Sequence, residues 1–407
     1  MGFNTSLSGL RASNTDLNVT SNNIANSATT GFKESRAEFA DIFMGSTYGI
    51  ANNAVGSGTR VADIAQQFKQ GNIDSTQNSL DVAISGEGFF NVAKNGSTLY
   101  TRAGNFQMDA NGYVVTPEGY NLQVFAPNAD GATVSTSQLQ NLQLTGTSSA
   151  PKATTSVTTN VTLPANATAP TAAFDPADTD SYNYSTSVTV YDSLGISHVM
   201  TMYYVKTGAN TWSQHTYVDG TDVTPVGGTT LQYSPSGTLI APANGTVALG
   251  TFTPANGAAP LPLTLSVNGS AQFGESFGVN NLSQDGYATG NLSRFEINPD
   301  GMVYATFSNG NKTLLGQIAL TTFNNKQGLA PQGNNCWAAT AAAGSPRTGA
   351  PDSADFGSLQ SGALEASTVD LTEQLVNMIV AQRNFQANAK MITTQDELTQ
   401  TVININR

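Results

Sequence analysis

Cysteine occurs once in the 407 residues and histidine twice. One thiol excludes an intrachain disulfide and any cysteine-rich zinc site, and two imidazoles leave little from which to build a metal centre. Charge is scarce as well. Only 11% of residues are Asp, Glu, Lys or Arg, against about 25% in an average soluble protein, so Ser, Thr, Asn, Gln and Gly must supply the polar surface. Acid outnumbers base 28 to 16, for a net charge of −12. Such a surface repels a phosphate backbone or an anionic membrane, and nucleic acid is not expected as a partner. No apolar run approaches the ~18–20 residues that span a bilayer, and Met1 to Leu10 has neither the basic nor the apolar region of a cleaved secretion signal. Neither membrane insertion nor a cleaved signal is expected.

A single core stops growing near ~250–300 residues, so more than one domain is expected. Hydrophobic period changes twice along the chain. In the first thirty residues Phe3, Leu7, Leu10, Asn14, Leu17, Ser21, Ile24 and Ala28 follow a 4-3-4-3 spacing, a mostly apolar seam on one side of a helix. Leu364, Thr368, Leu371, Leu375, Met378, Gln382, Phe385, Ala389 and Ile392 keep the same spacing, and 363–407 contains no Gly or Pro. Both ends therefore read as coiled-coil-like helices. A helix over 363–407 would be a rod of roughly 60 Å or more, which something equally long must cover. Sixteen of the first thirty residues are Asn, Ser or Thr, whose side chains compete with helical hydrogen bonds. The N-terminal helix is thus expected to order only against a partner, either the C-terminal helix of its own chain or neighbours in an assembly.

Between the ends the pattern is β. Residues 31–70 read as an irregular linking segment with short strands, broken by Gly45, Gly49, Gly56 and Gly58. Val82 to Val92, Leu99-Tyr100 and Tyr113 to Val115 are then separated by Asn95-Gly96 and Asn111-Gly112, the dipeptides of tight antiparallel hairpins. The stretch from Thr145 to Asp180 is rich in Thr, Ala, Ser and Pro and reads as a linker. Alternation resumes around Leu194-Gly195 and Thr207-Gly208, and again from about Asp285, with turns at Asp300-Gly301 and Asn309-Gly310. The last block is expected to pair with the first, so 71–145 and 285–362 form one discontinuous β domain and 146–284 an inserted one. The insertion has seven acids and two bases, whereas 1–70 has five of each sign. That division suits a solvent-facing insertion and buried ends.

Constellations for chemistry are weak. His198 and His215 sit in strand patterns with no nucleophile motif nearby and read as structural. Cys336 reads as a small buried apolar residue. Gly86-Glu87-Gly88 lacks the Lys-Ser/Thr and helix of a phosphate loop, and Asp109 with Asn111 lacks the remaining ligands of a calcium loop. Asp192, with Ser193 and Gly195, reads as a turn aspartate. No catalytic, cofactor or metal residue is assigned.

Four segments carry a resemblance: NIANSATTGFKESR (Asn23 to Arg36), LDVAISGEGFF (Leu80 to Phe90), YTRAGNFQMDANGYVV (Tyr100 to Val115) and AQRNFQANAKMITTQDELTQTVININR (Ala381 to Arg407). Together they resemble the bacterial flagellar rod and hook family, with Asn23, Ile24, Ala25, Asn26, Gly31, Phe32 and Lys33 as its N-terminal motif. GLAPQGNNCWAAT (Gly328 to Thr340) extends the likeness, with Cys336 where relatives are expected to have an ordinary apolar residue. The large insertion and Asp192 to Gly195 are closer to hook members than to the shorter rod members.

The resemblance implies a mainly β, nested axial protein with helical termini (1–30 and 363–407) innermost around an export channel and the inserted domain outermost. It implies a curved tubular homopolymer outside the cell that acts as a universal joint. The implied partners are further copies, a hook cap protein, a distal rod protein, a hook–filament junction protein and the flagellar type III export apparatus, with no cofactor and no enzymatic activity. The expected assembly seam is Phe3, Leu7, Leu10, Leu17 and Ile24 with Leu371, Leu375, Met378, Phe385, Ile392 and Leu398, with the ends of an isolated chain left loose and unpacked, unless these residues only pair within one chain. A distal rod protein of the family and a secreted β-rich adhesin on a coiled-coil stalk are the alternatives.

Overall fold

The computed structural model describes residues 2–43, 56–94, 96–128, 131–144, 148–353 and 355–405, which leaves the expected breakers Gly45 and Gly49 and the turn residue Asn95 outside the described residues. The chain divides into two compact units, Met1–Thr145 with Phe295–Ala305 and Thr313–Arg407, and Gly146–Arg294 with Thr306–Lys312.

In the first unit helix α1 (Gly2–Ala25) is followed by an antiparallel hairpin of Ser35–Asp41 and Thr59–Gln66, where only a linking segment with short strands was expected. Its β sheet then runs by returning segments. Lys312–Ile318 lies against Asn121–Pro127, Leu320–Thr322 against Phe89–Lys94, and Cys336–Ala338 against Ser97–Thr101. Ser358–Ser361 pairs with Val82–Ser85. Alternation explains the core: Val82, Ile84, Phe90, Val92, Leu122, Val124, Ile318, Leu320 and Leu359 all enter one apolar cluster. Burying each such side chain contributes about 1.5–3 kcal/mol. A second cluster gathers Phe89, Tyr100, Phe323 and Trp337, with Phe68 edge-on to Phe89 and Trp337. Cys336 is buried in the first cluster, and burial pushes its thiol up to about 11, the behaviour of an inert packing residue. Asp109 Oδ1 accepts the amides of Asn111 and Tyr113, so this pair forms a hairpin turn.

Helix α2 runs over Leu371–Ile405, not from Ala363. Ala363–Glu365 is instead a strand paired with Ile73–Ser75. Asp370 Oδ1 then accepts the amides of Thr372 and Glu373, an N-cap that starts the helix at Leu371.

The second unit packs two sheets on one core. Tyr184–Tyr191, Ser197–Gly208, Thr211–Val218, Thr229–Tyr233 and Leu239–Ala241 form an antiparallel sheet. The other sheet is built around Ser156–Pro164, which pairs antiparallel with Gly278–Gln284 and parallel with Thr264–Ser266 and Ala271–Phe273. Met200, Met202, Tyr204, Trp212 and Leu231 meet Val157, Val161, Leu163 and Leu265 between them. The Thr-rich stretch expected as a linker thus contains a central strand, because Val157, Val161 and Leu163 occupy alternate, fully buried positions within it. The expected turn at Thr207-Gly208 moves on to Ala209-Asn210, where Asn210 takes a left-handed φ of 56°.

The insertion also returns later than residue 284. Asp285 accepts the amides of Thr155 and Ser156, both at 2.9 Å, and pairs with Lys152 at 3.0 Å. Tyr287 bridges Lys152, and Ser148-Ser149 pairs with Gly290-Asn291, so residues up to Arg294 stay with this unit.

Candidate assembly surface

Asn388 and Gly9, and Gln374 and Asn23, are neighbours across α1 and α2, so the helices run antiparallel. A formed, paired helical hairpin therefore exists in the single chain, where loose ends were expected in isolation. The reason lies in a stripe of small and polar residues. Ser6, Ser13, Thr20 and Asn23 are buried, and with Gly9 and Asp16 they recur at 3-4-3-4-3 spacing on one face of α1. Small side chains permit close approach, and a Cβ added to Gly9 would lie 2.6 Å from Asn388 Oδ1. On α2 the facing stripe includes Gln374, Met378, Ala381 and Asn388, of which Gln374 and Ala381 are buried.

The expected leucine seam is thus not the main contact between the helices. It lies one residue off the small-residue stripe, or roughly 100° around α1. Phe3 is exposed, while Leu7, Leu10, Leu17 and Ile24 are half-buried. On α2 Met378 and Ile392 are half-buried, but Leu371, Leu375, Phe385 and Leu398 are exposed. Val376, Ile379, Val380, Met391 and Ile403 are exposed too, between 47% and 61%, so α2 is apolar on several faces at once. Apolar side chains left exposed in these positions need more cover than α1 provides. By its pairing with α1 in antiparallel register, its last ten or so residues also overhang, a projection of roughly 15 Å. No helix among the described residues is long and apolar enough to cross a membrane.

At the base of the hairpin the motif Asn23 to Lys33 is fastened. The Asn23 amide donates to Ser35 O and to Gln374 Oε1 and accepts the Ser35 N–H. Ile24 is half-buried, Ala25 is exposed and ends α1, and Asn26 opens the turn that follows, with Phe32 half-buried beyond it. Gly31 adopts φ +69°, and a Cβ there would stand 2.6 Å from Ala103 N. Lys33 is 2% exposed, and its ammonium donates to Lys69 O at 2.6 Å and Glu365 Oε1 at 2.7 Å. Glu365, fully buried, also accepts the Gly71 amide and Arg102 Nη1. Burial pushes the Lys33 ammonium below its ordinary range, opposed by the Glu365 charge. Sequence reading missed Glu365, because 363–370 was absorbed into the helix, and with it Arg102, whose carboxylate partner is Glu365. It missed the small-residue stripe because the larger leucines beside it have the same spacing.

Four family models match consecutive parts of the chain: Flagella basal body rod protein over 3–33, Flagellar hook protein FlgE/F/G D1 domain over 83–173, Flagellar basal body protein FlaE D2 domain over 160–287, and Flagellar basal body rod FlgEFG protein C-terminal over 360–405. The flagellar hook protein FlgE of Salmonella typhimurium is 43% identical over 416 residues, with 100% of each chain covered. That of Escherichia coli is 42% identical over 412 residues, again over 100% of each chain. The Helicobacter pylori flagellar hook protein FlgE2 shares the fold, with a TM-score of 0.53 at 17% identity over 72% of this chain and 100% of that one. With relatives this similar along its whole length, the chain belongs to the flagellar hook protein FlgE family.

Proposed function

We propose that the chain is a structural, non-catalytic subunit of a bacterial flagellar hook, polymerising with copies of itself into a curved tube that passes torque from rod to filament. The observation that carries this reading is α2, whose apolar residues face outward on more sides than α1 can cover. In a tube the helical hairpins would line the wall of an export channel, each covered by its neighbours, and the inserted unit would lie outside. The charge division supports that order at its two extremes, since 146–284 has seven acids and two bases whereas 1–70 has five of each sign.

By the same reading the tube ends meet a distal rod protein and a hook–filament junction protein, growth proceeds under a hook cap protein, and the subunit reaches its extracellular place through the flagellar type III export apparatus without a cleaved signal. Electron microscopy of concentrated protein tests the core of this. Tubes with a central channel are expected. Dispersed particles at every concentration would overturn it.

A further inference from the structure

The second unit holds a charged cluster, two of its three members buried, that polymer architecture does not call for. Asp192 is fully buried at the start of the 192–196 turn, where its Oδ1 accepts the amides of Leu194 and Ile196 at 2.8 and 2.9 Å. Its Oδ2 takes the Asn256 amide and faces His198 Nε2 at 3.3 Å. The other ring nitrogen, Nδ1, lies 2.6 Å from Asp219 Oδ2. Asp219 occupies the next turn, with φ 47°, and its Oδ1 accepts the Val199 amide at 2.9 Å. Phe252 covers the imidazole edge-on at 5.1 Å. The groups packed around the ring are thus the two carboxylates, the neutral Asn256 amide and an apolar ring. A neutral imidazole has one N–H and can serve only one of the carboxylates. An imidazolium serves both.

We propose that Asp192, His198 and Asp219 form a proton-operated clamp, in which protonated His198 ties the 192–196 turn to the Asp219 turn and loss of its proton frees them. Between these points the clamp presents Leu194, Ile196 and Val199, which are 56%, 48% and 52% exposed. Deprotonation sends one proton to solvent and leaves Asp192 buried against a ring that can no longer donate to both acids. Hydrogen bonding to Asp219 and Asp192 raises the imidazole pKa against the opposing effect of burial, and hydrogen bonds hold Asp192 down at about 2. A group whose pKa rises on folding stabilises fully below its unfolded value and loses that contribution as pH climbs through the folded one. The carboxylate works in the opposite sense and loses its contribution only as pH falls toward about 2. The clamp is therefore strongest between the ordinary carboxylate and imidazole ranges and opens on the alkaline side.

The chain is convenient for testing this, because it has only two histidines and two tryptophans. Burial lowers the pKa of His215, which stacks on Phe174, so it is an internal reference. Proton NMR of the two imidazole Cε1–H signals in the full chain is expected to show His198 titrating above the ordinary value of about 6.5 and His215 below it. Fluorotryptophan labelling then reports each unit separately, Trp212 for the insertion and Trp337 for the other. The Trp212 signal should melt at progressively lower temperature as pH rises through the His198 transition. Asp219→Asn, at an exposed position that leaves the fold intact, should lower the His198 titration and flatten that slope. A His198 that titrates at or below the ordinary value, or an Asp219→Asn chain with unchanged titration and slope, would overturn the clamp.

Discussion

Lys33 and Glu365 stand 332 positions apart in the chain, yet their side chains meet at 2.7 Å with 1% and 0% of their surfaces exposed. Their pairing is what fastens the residues after α1 to the strand before α2. Since Glu365 also holds the Gly71 amide and Arg102, truncating it strands two buried cations. Glu365→Ala is expected to lower the unfolding free energy of the first unit by about 3–5 kcal/mol, the cost of an uncompensated buried charge. Glu365→Gln, which keeps an acceptor for Gly71, should lose less. Guanidinium unfolding read at Trp337 checks both.

Gly31 and Gly9 separate backbone need from packing need. At Gly31 the left-handed φ and the neighbouring Ala103 backbone both oppose a Cβ. Gly31→Ala should cost about 2–4 kcal/mol, combining the left-handed penalty with overpacking. At Gly9 the obstructing atoms belong to the Asn388 side chain, which can swing away. Gly9→Ala should therefore be close to neutral, the helix propensity gained, up to about 1 kcal/mol, offsetting the displaced amide. Comparing the two by thermal unfolding checks the distinction, and equal losses would refute it.

Much of this was legible in the chain because period is physical. Val82 to Val92 read as strands and the Gly-free run from Leu371 to Ile405 as helix, since those periods place the apolar residues on one side. What escaped notice depended on long-range partners. Glu365 looks like a helical residue until Ile73–Ser75 offers an edge to pair with. Ser156–Pro164 looks like a linker by composition, and its three apolar residues on one face become decisive only once three other strands pair with it. The seam on α1 was legible as a spacing but not as a choice, because stripes of Leu and of Ser, Gly and Thr share one period. Close approach selects the smaller set for contact within the chain.

Asp285 latches the return of the insertion by accepting from Thr155 N, Ser156 N, Thr155 Oγ1 and Lys152. Those donors outweigh the effect of burial and push its carboxyl well below the ordinary range. A carboxyl whose pKa falls on folding stabilises above its unfolded value and stops doing so as pH drops through the folded one. Asp285→Asn should thus destabilise the insertion at neutral pH by about 1.5–3 kcal/mol and make its stability less sensitive to acid. The Trp212 signal, followed from neutral to acid pH in both chains, measures this.

Leu375 distinguishes folding from assembly most sharply. It is 51% exposed on α2, one residue beyond Gln374, which faces α1. A carboxylate there meets water in the single chain, so Leu375→Asp should change the stability of the first unit by no more than about 0.5 kcal/mol. In a tube the same position would be covered by a neighbouring helix, and an unpaired charge buried there would cost several kcal/mol per subunit. Repeated along a polymer, that penalty is expected to abolish tubes altogether. Sedimentation and electron microscopy should find only monomer, while the unfolding curve overlays that of the parent chain. Were tubes to form as before, the outward apolar face of α2 could not be the surface that holds the subunits together.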